Sequence, residues 1–257
     1  MASSSVNRAR WVDLASSDAG ASRDFYAKLL GWEIEVNEDP QYGGYAIASS
    51  GGGQVAGIGP KMSPGSPTVW SLYIGCEDAE TTSRAVEAAG GTVVMPAFDV
   101  GDQGRMAVYA DPSGAFISVW QSEGMGAFVS GGESRYGWAE LNARGLGKDL
   151  AFYKAVFGWD AEVLPMPEGQ PDYIQFTAGE DAIAGAMEMN PGMPAEVPSY
   201  WMVYFNVADV DKGFKRALGL GASEMVAPRD FPGGRFAIVS DPQGAMFGLL
   251  KTDPRSA

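Results

Sequence analysis

The residues of this chain that could do chemistry lie in two matching segments. Trp11 and Asp13 stand two positions apart in the first segment, and Trp138 and Glu140 do so in the second. Because successive strand side chains point to opposite faces, each segment would present one indole and one carboxylate on the same face. A carboxyl group desolvated beside aromatic rings has a raised pKa. That suits acid-base catalysis near neutral pH or a charged hydrogen bond to a ligand.

Histidine is absent from the chain, which excludes His-activated nucleophiles, His proton shuttles and imidazole metal ligands. The lone cysteine, Cys76, excludes an intramolecular disulfide framework and fits a reducing cytoplasm. We expect it to pack as a small hydrophobic residue rather than to act as a reactive thiol.

Composition limits the partners. A net charge of -14 opposes binding to nucleic acid and to anionic membranes. The polar N-terminus has no apolar segment typical of a signal peptide, and no apolar run is long enough to span a bilayer. We therefore expect a cytoplasmic protein, a monomer or homodimer, whose partner is a small molecule.

An internal repeat dominates the sequence. A Phe-Tyr pair followed by Gly-Trp occurs at residues 25–32 and again at residues 152–159, and an Asp-Pro-x-Gly turn occurs at residues 111–114 and 241–244. With 257 residues, two domains are expected. The predicted boundaries are a disordered tail at 1–7, a first domain at 8–122, a linker at 123–137, a second domain at 138–251 and a tail at 252–257.

Each copy divides again into two strand-helix-strand modules. Ser17 or Asp18 is predicted to cap the first helix, and Gly31 to end it. The glycines at residues 51–53 are predicted to form a hairpin turn rather than a phosphate cradle, because no helix follows them. The strand residues Trp70 and Trp201 have the opposite parity to Ser71 and Met202, so we expect them to pack beneath the helices.

The helix ending in Phe-Tyr before Gly-Trp, together with the Asp-Pro-x-Gly turn, resembles the vicinal oxygen chelate superfamily of glyoxalases, bleomycin-resistance proteins and extradiol dioxygenases. Residues 96–105 look like its two-domain actinobacterial, glyoxalase-like members. The resemblance runs from about residue 8 to residue 251. It implies an α+β fold with two tandem domains, each of two paired βαβββ modules that form an open, barrel-like sheet around a cleft.

Metal-using members of that superfamily carry His and Glu ligands on the first strand of each module and on a last strand. The matching positions here are Trp11, Ser71 and Ser118 in the first domain, and Trp138, Met202 and Gly248 in the second. None of these is a good ligand for a divalent ion. We therefore expect no metal and no cofactor. A carboxylate-only site for a hard cation, built from Asp13 or Glu140, is the alternative.

If the ligand positions of the family point into the cleft, strand alternation adds further residues to its lining. The predicted catalytic residues are Asp13, Glu140, Tyr73 and Tyr204. The predicted ligand-binding residues are Trp11, Ser71, Phe116, Ser118, Trp120, Trp138, Asn142, Met202 and Met246. The alternative interpretation is that the indoles and methionines fill a barrel that has lost its metal. Arg105 and Arg235 are expected to form ion pairs with Asp99, Asp102 or Asp230.

Three functions are compatible with this site. The first is metal-independent binding of a flat or apolar metabolite, such as an antibiotic or an intermediate of specialised metabolism, as in the bleomycin-resistance branch. The second is a metal-free enzyme of natural-product biosynthesis that uses Asp13 or Glu140 with Tyr73 or Tyr204 for isomerisation, cyclisation or lyase chemistry. Metal-dependent glyoxalase I or dioxygenase activity is not expected. The third, a surface or antigen-like protein, is supported only by the acidity.

Overall fold

The computed structural model of the chain describes residues 6–124, 126–166 and 171–253. The expectation of disorder at residues 1–5 and 254–257 lies outside the described residues. Each half repeats the order strand, helix, three strands, twice over. The first half contains β1 Ala9–Ser16, α1 Ala19–Leu30, β2 Glu33–Val36, a 3-10 turn Pro40–Tyr42, β3 Ala46–Ser50, β4 Gly53–Pro60, β5 Val69–Gly75, α2 Ala79–Ala88, β6 Thr92–Val100, β7 Gly104–Ala110 and β8 Phe116–Ser122. The second contains β9 Tyr136–Ala143, α3 Gly147–Phe157, β10 Asp160–Leu164, β11 Tyr173–Ala178, β12 Asp181–Glu188, β13 Tyr200–Asn206, α4 Val210–Gly219, β14 Ser223–Phe231, β15 Gly234–Ser240 and β16 Met246–Thr252.

The strands form two mixed eight-stranded sheets, which confirms the α+β class and the tandem repeat. The strand orders are β2-β3-β4-β1-β5-β8-β7-β6 and β10-β11-β12-β9-β13-β16-β15-β14. Each order has two end strands, so neither sheet is closed into a barrel. In the described part of the chain no helix is long and apolar enough to cross a membrane.

Two residues that were expected in the N-terminal tail are instead bonded to the protein. Val6 forms a bridge with Gly75, and the backbone N–H of Asn7 donates to the Gly75 carbonyl at 2.8 Å. The indole N–H of Trp159 donates to the Asn7 carbonyl at 2.7 Å. At the other end, Thr252 lies in β16 rather than in a tail. Backbone pairing, which composition does not reveal, thus reaches residues outside the predicted first and second domains.

Capping and turn residues begin and end α1 and form the β3-β4 hairpin as expected. Asp18 caps α1 by accepting from the backbone N–H of Ala21 at 3.0 Å, and Gly31 ends the helix in the left-handed conformation. Gly51 and Gly52, both with positive φ, make the two-residue turn between β3 and β4. This is the conformation that a type I′ hairpin turn requires, and the predicted hairpin is confirmed.

Backbone contacts divide the chain into two compact units, each built from one module of each half. Unit 1 comprises Met1–Trp11, Leu72–Met125 and Trp138–Trp201, and unit 2 comprises Val12–Ser71, Gly126–Gly137 and Met202–Ala257. Within unit 1, α2 packs against α3, and within unit 2, α1 packs against α4. The compact units therefore do not coincide with the two sequence repeats, because each unit combines modules of both halves.

The core of each unit contains a buried chain of three polar groups. In unit 2 the indole N–H of Trp70 donates to the Tyr26 hydroxyl at 2.8 Å, and that hydroxyl donates to Asp241 Oδ2 at 3.0 Å. Burial raises the pKa of Tyr26 well above its usual value, and the nearby Asp241 adds to this effect. Tyr26 therefore keeps its proton and remains a donor to the carboxylate.

Unit 1 repeats this chain with residues exchanged between the halves. Trp201 donates to the Tyr153 hydroxyl at 2.8 Å, and Tyr153 donates to Asp111 Oδ2 at 2.8 Å. Thus Tyr26 from the first half meets Asp241 from the second, and Tyr153 from the second half meets Asp111 from the first. The expectation that Trp70 and Trp201 pack beneath the helices is confirmed.

The aspartates of the Asp-Pro-x-Gly turns also hold the turns together. Oδ1 of Asp241 accepts from the backbone N–H groups of Gln243 and Ala245, both at 2.9 Å. Burial raises the pKa of Asp241, whereas these N–H groups and the Tyr26 hydroxyl oppose the rise. One carboxylate therefore closes a turn and anchors the opposite helix.

The predicted ion pairs of the matching arginines are confirmed. Arg105 Nε lies 2.8 Å from Asp99, and Arg235 Nη1 lies 2.8 Å from Asp230. Each arginine also bonds the first turn of a helix, through Glu80 or Asp211. Because the partner carboxylates are largely exposed, these pairs contribute little to stability and mainly fix the arginine side chains.

A buried carboxylate marks a difference between the units. Asp149 in the first turn of α3 is 0% exposed, and within the described residues its side-chain oxygens accept no hydrogen bond of standard geometry. Ser113 and Lys148 lie close enough to favour its charged form, but less strongly than burial opposes it. Burial raises its pKa to about 7, and the charge of Asp111 adds to the rise. The matching residue in α1 is Ser22, whose hydroxyl donates to Gln243 Oε1 at 3.1 Å.

We expect Tyr26→Phe and Tyr153→Phe each to lower the free energy of unfolding by about 2–4 kcal/mol, because each leaves an indole N–H and a carboxylate oxygen buried without a partner. Urea unfolding would measure the loss. Tyr136→Phe is the matched control, since the Tyr136 hydroxyl is buried and has no hydrogen-bond partner among the described residues. Equal losses in all three variants would contradict the importance of the polar chains.

We expect Asp149→Ser, which installs the residue of the matching position, to stabilise the protein increasingly between pH 4 and pH 7. The folded-state pKa of about 7 exceeds the unfolded value, so the Asp149 carboxyl favours folding only while protonated. The stability difference between variant and wild type should grow by up to about 4 kcal/mol over that range. Urea unfolding at a series of pH values measures it, and a pH-independent difference would contradict this account.

Candidate functional site

The face of each sheet opposite the helices, here called the open face, carries the polar residues. On β1 the buried Leu14 and Ser16 face α1, whereas Asp13 points the other way and is half-buried. Asp13 pairs in register with Gly57 of β4. The Tyr45 ring lies over Gly57 and Gly59, and its hydroxyl donates to Asp13 Oδ2 at 3.3 Å. A glycine is needed at residue 57 because a Cβ there would overlap the tyrosine hydroxyl.

The second half repeats this arrangement within unit 1. Glu140 pairs in register with Gly185, and a Cβ at Gly185 would overlap the hydroxyl of Tyr173. The indole N–H of Trp138 donates to that hydroxyl at 2.8 Å. Both rings are half-buried. Trp138 therefore lies on the open face beside a carboxylate, where the alternation of β9 predicts it.

The Glu140 carboxylate has two polar neighbours on this face. Its Oε1 accepts from the side-chain amide of Asn142 at 3.2 Å. The pKa of Tyr200 is raised by burial, and the negative charge of Glu140 raises it further. Tyr200 therefore stays protonated near neutral pH and can serve as a hydrogen-bond donor or a weak acid.

A shallow concavity of about 750 Å³ lies on the sheet of unit 2. The concavity is related to Asp13 by two strand pairings: its lining residue Ile47 pairs with Gly57, and Gly57 pairs with Asp13. Its lining mixes apolar and polar side chains: Ile34, Glu35, Val36, Asn37, Glu38, Ile47, Ser49 and Gln54.

The predicted residues of β5 and β8 are mostly buried. Tyr73 and Ser118 pair in register and are 6% and 4% exposed. Trp120 is 6% exposed, and its indole N–H has no hydrogen-bond partner in the part of the chain that the structure describes. Phe116, by contrast, is 61% exposed, and Ser71 is half-buried. Phe116 and Ser71 are therefore the accessible members of this set.

The corresponding residues of unit 2 are also mostly enclosed, and Tyr204 is 5% exposed. Tyr204 lies over Gly248, where any side chain would overlap its ring. Met202 is 2% exposed, so packing explains it without a ligand, whereas Met246 is half-buried. Trp11, at 3% exposure, is likewise more enclosed than its counterpart Trp138.

The sequence-based choice of partners for the two carboxylates was incomplete. Asp13 and Tyr73 belong to different compact units, as do Glu140 and Tyr204, so these pairings stay predictions. Tyr45, Tyr173 and Tyr200, which the structure places beside the carboxylates or Trp138, were not anticipated. Comparison of the two repeats could have found the first two, because Tyr45 matches Tyr173 as Gly57 matches Gly185, each 128 positions apart.

The residues at the expected ligand positions do not fit a divalent metal. Indole at residues 11 and 138, a buried thioether at Met202 and a glycine at residue 248 offer no carboxylate or imidazole donor. Within residues 6–124, 126–166 and 171–253, no group of three or more His, Cys, Asp or Glu side chains could hold a metal ion. We derive no chemistry through a metal.

The sequence matches the family described as Glyoxalase/Bleomycin resistance protein/Dioxygenase superfamily over residues 8–119 and again over residues 135–249. CFP32 of Mycobacterium tuberculosis (strain CDC 1551 / Oshkosh), whose name marks its glyoxylase assignment as provisional, is 40% identical over 252 residues, which cover 95% of each chain. The anthracycline biosynthesis protein DnrV of Streptomyces peucetius is 38% identical over 256 residues, 94% of this chain and 92% of DnrV.

Solved structures share the fold. The Mn(II)-bound glyoxalase from Novosphingobium aromaticivorans superposes with a TM-score of 0.65 at 19% identity, covering 95% of this chain and 81% of that one. The 2,2',3-trihydroxybiphenyl 1,2-dioxygenase of Sphingomonas wittichii strain RW1 has a TM-score of 0.63 at 15% identity, covering 98% and 94%. At these identities the likeness concerns the fold and not the reaction.

We expect Gly185→Ala to displace the Tyr173 ring and break its hydrogen bond with Trp138, with a loss of about 1–3 kcal/mol in the free energy of unfolding. Urea unfolding measures the loss, and the fluorescence difference from a Trp138→Phe background reports the indole. Gly147→Ala in the same unit is the control, since no atom lies within 4 Å of its Cβ position. An unchanged Trp138 emission in Gly185→Ala would contradict the described contact.

Proposed function

Because the chain belongs to the Glyoxalase/Bleomycin resistance protein/Dioxygenase superfamily, we propose that it binds a flat or apolar small molecule on its open faces without a metal. The ligand stacks on the half-buried Trp138 indole, and the Glu140 carboxylate fixes its orientation. The observation that carries this proposal is the half-buried pair Trp138 and Glu140 on the open face. Partial burial leaves both side chains within reach of a ligand while reducing the cost of desolvating them.

The site is held in shape before a ligand arrives. Tyr173 fixes the Trp138 indole through its hydroxyl, and Asn142 fixes the Glu140 carboxylate. Rigid side chains lose little entropy when they bind, so such a surface favours affinity. Polar groups that are few and fixed among aromatic rings are typical of small-molecule sites.

The charges favour a neutral or cationic ligand on this face. Glu140 is a hydrogen-bond acceptor, and the net charge of -14 raises the local concentration of cations. DnrV is named for anthracycline biosynthesis. An anthracycline is a planar polycyclic molecule with a cationic amino sugar, and therefore combines the two properties that Trp138 and Glu140 would recognise. We propose a ligand of this chemical class.

A second candidate function is a metal-free enzyme of natural-product biosynthesis. The observation that favours it is the placement of a phenol beside each carboxylate: the Tyr45 hydroxyl bonds Asp13, and Glu140 raises the pKa of Tyr200. A carboxylate and a protonated phenol can act as general base and general acid in isomerisation, cyclisation or lyase reactions. Tyr73 and Tyr204 remain the alternative acids for these two positions.

We expect daunorubicin to bind the wild-type protein with quenching of its own fluorescence. Trp138→Leu and Glu140→Gln should each weaken binding about tenfold or more, since each removes one recognition element. Glu87→Gln is the control, because it removes the same charge from an exposed position on α2. Equal affinity in all four proteins would overturn the proposed site.

The two candidate functions separate on turnover. We expect Asp13→Asn and Glu140→Gln to weaken binding in a binding protein, whereas in an enzyme they would abolish product formation while binding persists. Mass spectrometry of small molecules carried through purification, and of anthracycline-type compounds incubated with the protein, detects the product. Metal analysis of the same sample is the companion measurement, and a stoichiometric transition metal would overturn the metal-independent proposal.

A further inference from the structure

A row of aromatic rings lies on the open face of unit 2. The Tyr204 and Phe236 rings are edge-to-face with centroids 6.3 Å apart, and the Phe231 and Phe236 rings are edge-to-face at 6.0 Å. Tyr204 is turned onto this face by Gly248, whose missing side chain leaves room for its ring. The buried Ala237 and Phe247 point to the helix side. Tyr204, at 5% exposure, is the buried end of the row, whereas Phe231 and Phe236 are half-buried.

A guanidinium group is stacked on this row. Arg229 stands across from Phe236 in the pairing of β14 with β15, and its Cζ lies 5.8 Å from the centroid of the Phe236 ring. Arg229 is exposed, and over the described residues its side chain makes no ion pair and no hydrogen bond. Its chain neighbour Asp230 bonds Arg235 instead.

Stacking on a ring holds the guanidinium in place but does not use its N–H groups. A guanidinium over an aromatic face is attracted by the ring and keeps its donor edges free for an oxyanion. In a chain with 32 acidic and 18 basic residues, carboxylate partners are plentiful. Arg229, which is exposed over a ring and bonded to no carboxylate among the described residues, therefore keeps its N–H groups available to an anion from outside the chain.

The first half shows that the strand pairing does not require this arginine. In the matching pair of strands, β6 and β7, Phe98 stands across from Met106. These two apolar side chains take the places of Arg229 and Phe236 in an otherwise similar sheet. The pair of a cation and a ring is thus specific to the second half.

We propose that Arg229 and Phe236 form a subsite for an aromatic ligand that carries a carboxylate or another oxyanion. The ligand ring packs against the Phe231 and Phe236 side chains, and its anionic group accepts hydrogen bonds from Arg229. The inference rests on the proposed function only in taking the open face as a surface for small molecules. It adds an anionic ligand group to the neutral or cationic group that Glu140 would accept.

The test compares 2-naphthoate with its uncharged analogue 2-naphthamide by isothermal titration of the full chain. The wild type should bind naphthoate about tenfold or more tightly than naphthamide, and Arg229→Gln should abolish that preference. Arg216→Gln is the control, since it removes the same charge from an exposed position on α4. Phe236→Leu should weaken both compounds.

Each outcome decides the proposal. A naphthoate preference lost in Arg229→Gln and kept in Arg216→Gln supports it. No naphthoate binding to the wild type, no preference, or equal effects of the two arginine substitutions would overturn it. If the Trp138 and Glu140 variants bind daunorubicin as tightly as the wild type while the naphthoate preference is intact, the proposed function is overturned and this subsite stands. Conversely, weaker daunorubicin binding by the Trp138 and Glu140 variants, with no naphthoate preference in the wild type, would overturn this subsite and leave the proposed function standing.

Discussion

The buried chain of indole, phenol and carboxylate in each unit is the interaction on which the rest of the structure depends. A carboxylate in a protein core is costly unless its oxygens are bonded. Asp241 meets that condition by accepting from backbone N–H groups on one oxygen and from Tyr26 on the other. Because the tyrosine and the aspartate come from different halves of the chain, closing the turn also joins a helix to the opposite module.

Strand glycines determine the shape of the open faces. Glycines in the middle of β4 and β12 leave space that tyrosine rings fill, and the tyrosine hydroxyls then reach Asp13 or Trp138. A glycine in a strand usually weakens it. Here the space left by each glycine is filled by a half-buried tyrosine ring. The open face is therefore shaped by the absence of side chains at Gly57 and Gly185 as much as by the residues present.

The sequence allowed prediction of the features that depend on local periodicity. Alternation along the strands placed Trp70 and Trp201 under the helices and Glu140 on the other face, and turn chemistry located the hairpin at Gly51. It did not allow prediction of Tyr26 with Asp241, which are separated by 215 positions, because no local pattern encodes so distant a contact. Nor did it identify Tyr45 or Tyr173, since their role depends on which strand passes beneath their rings. The interleaved units were missed for the same reason: a repeat in sequence does not say which copies pack together.

The exchange of Tyr and Asp between halves bears on how the two faces came to differ. Two separate, identical copies of a single repeat could form the same Tyr-Asp bonds, with each copy donating its tyrosine to the aspartate of the other. Their open faces, however, would be identical. Joining the copies in one chain keeps the Tyr-Asp bonds between the halves and allows the side chains of each open face to differ. Asp13 against Glu140, and Phe98 against Arg229, are differences of this kind. Covalent linkage thus allows one molecule to carry two chemically distinct surfaces, which two identical copies could not do.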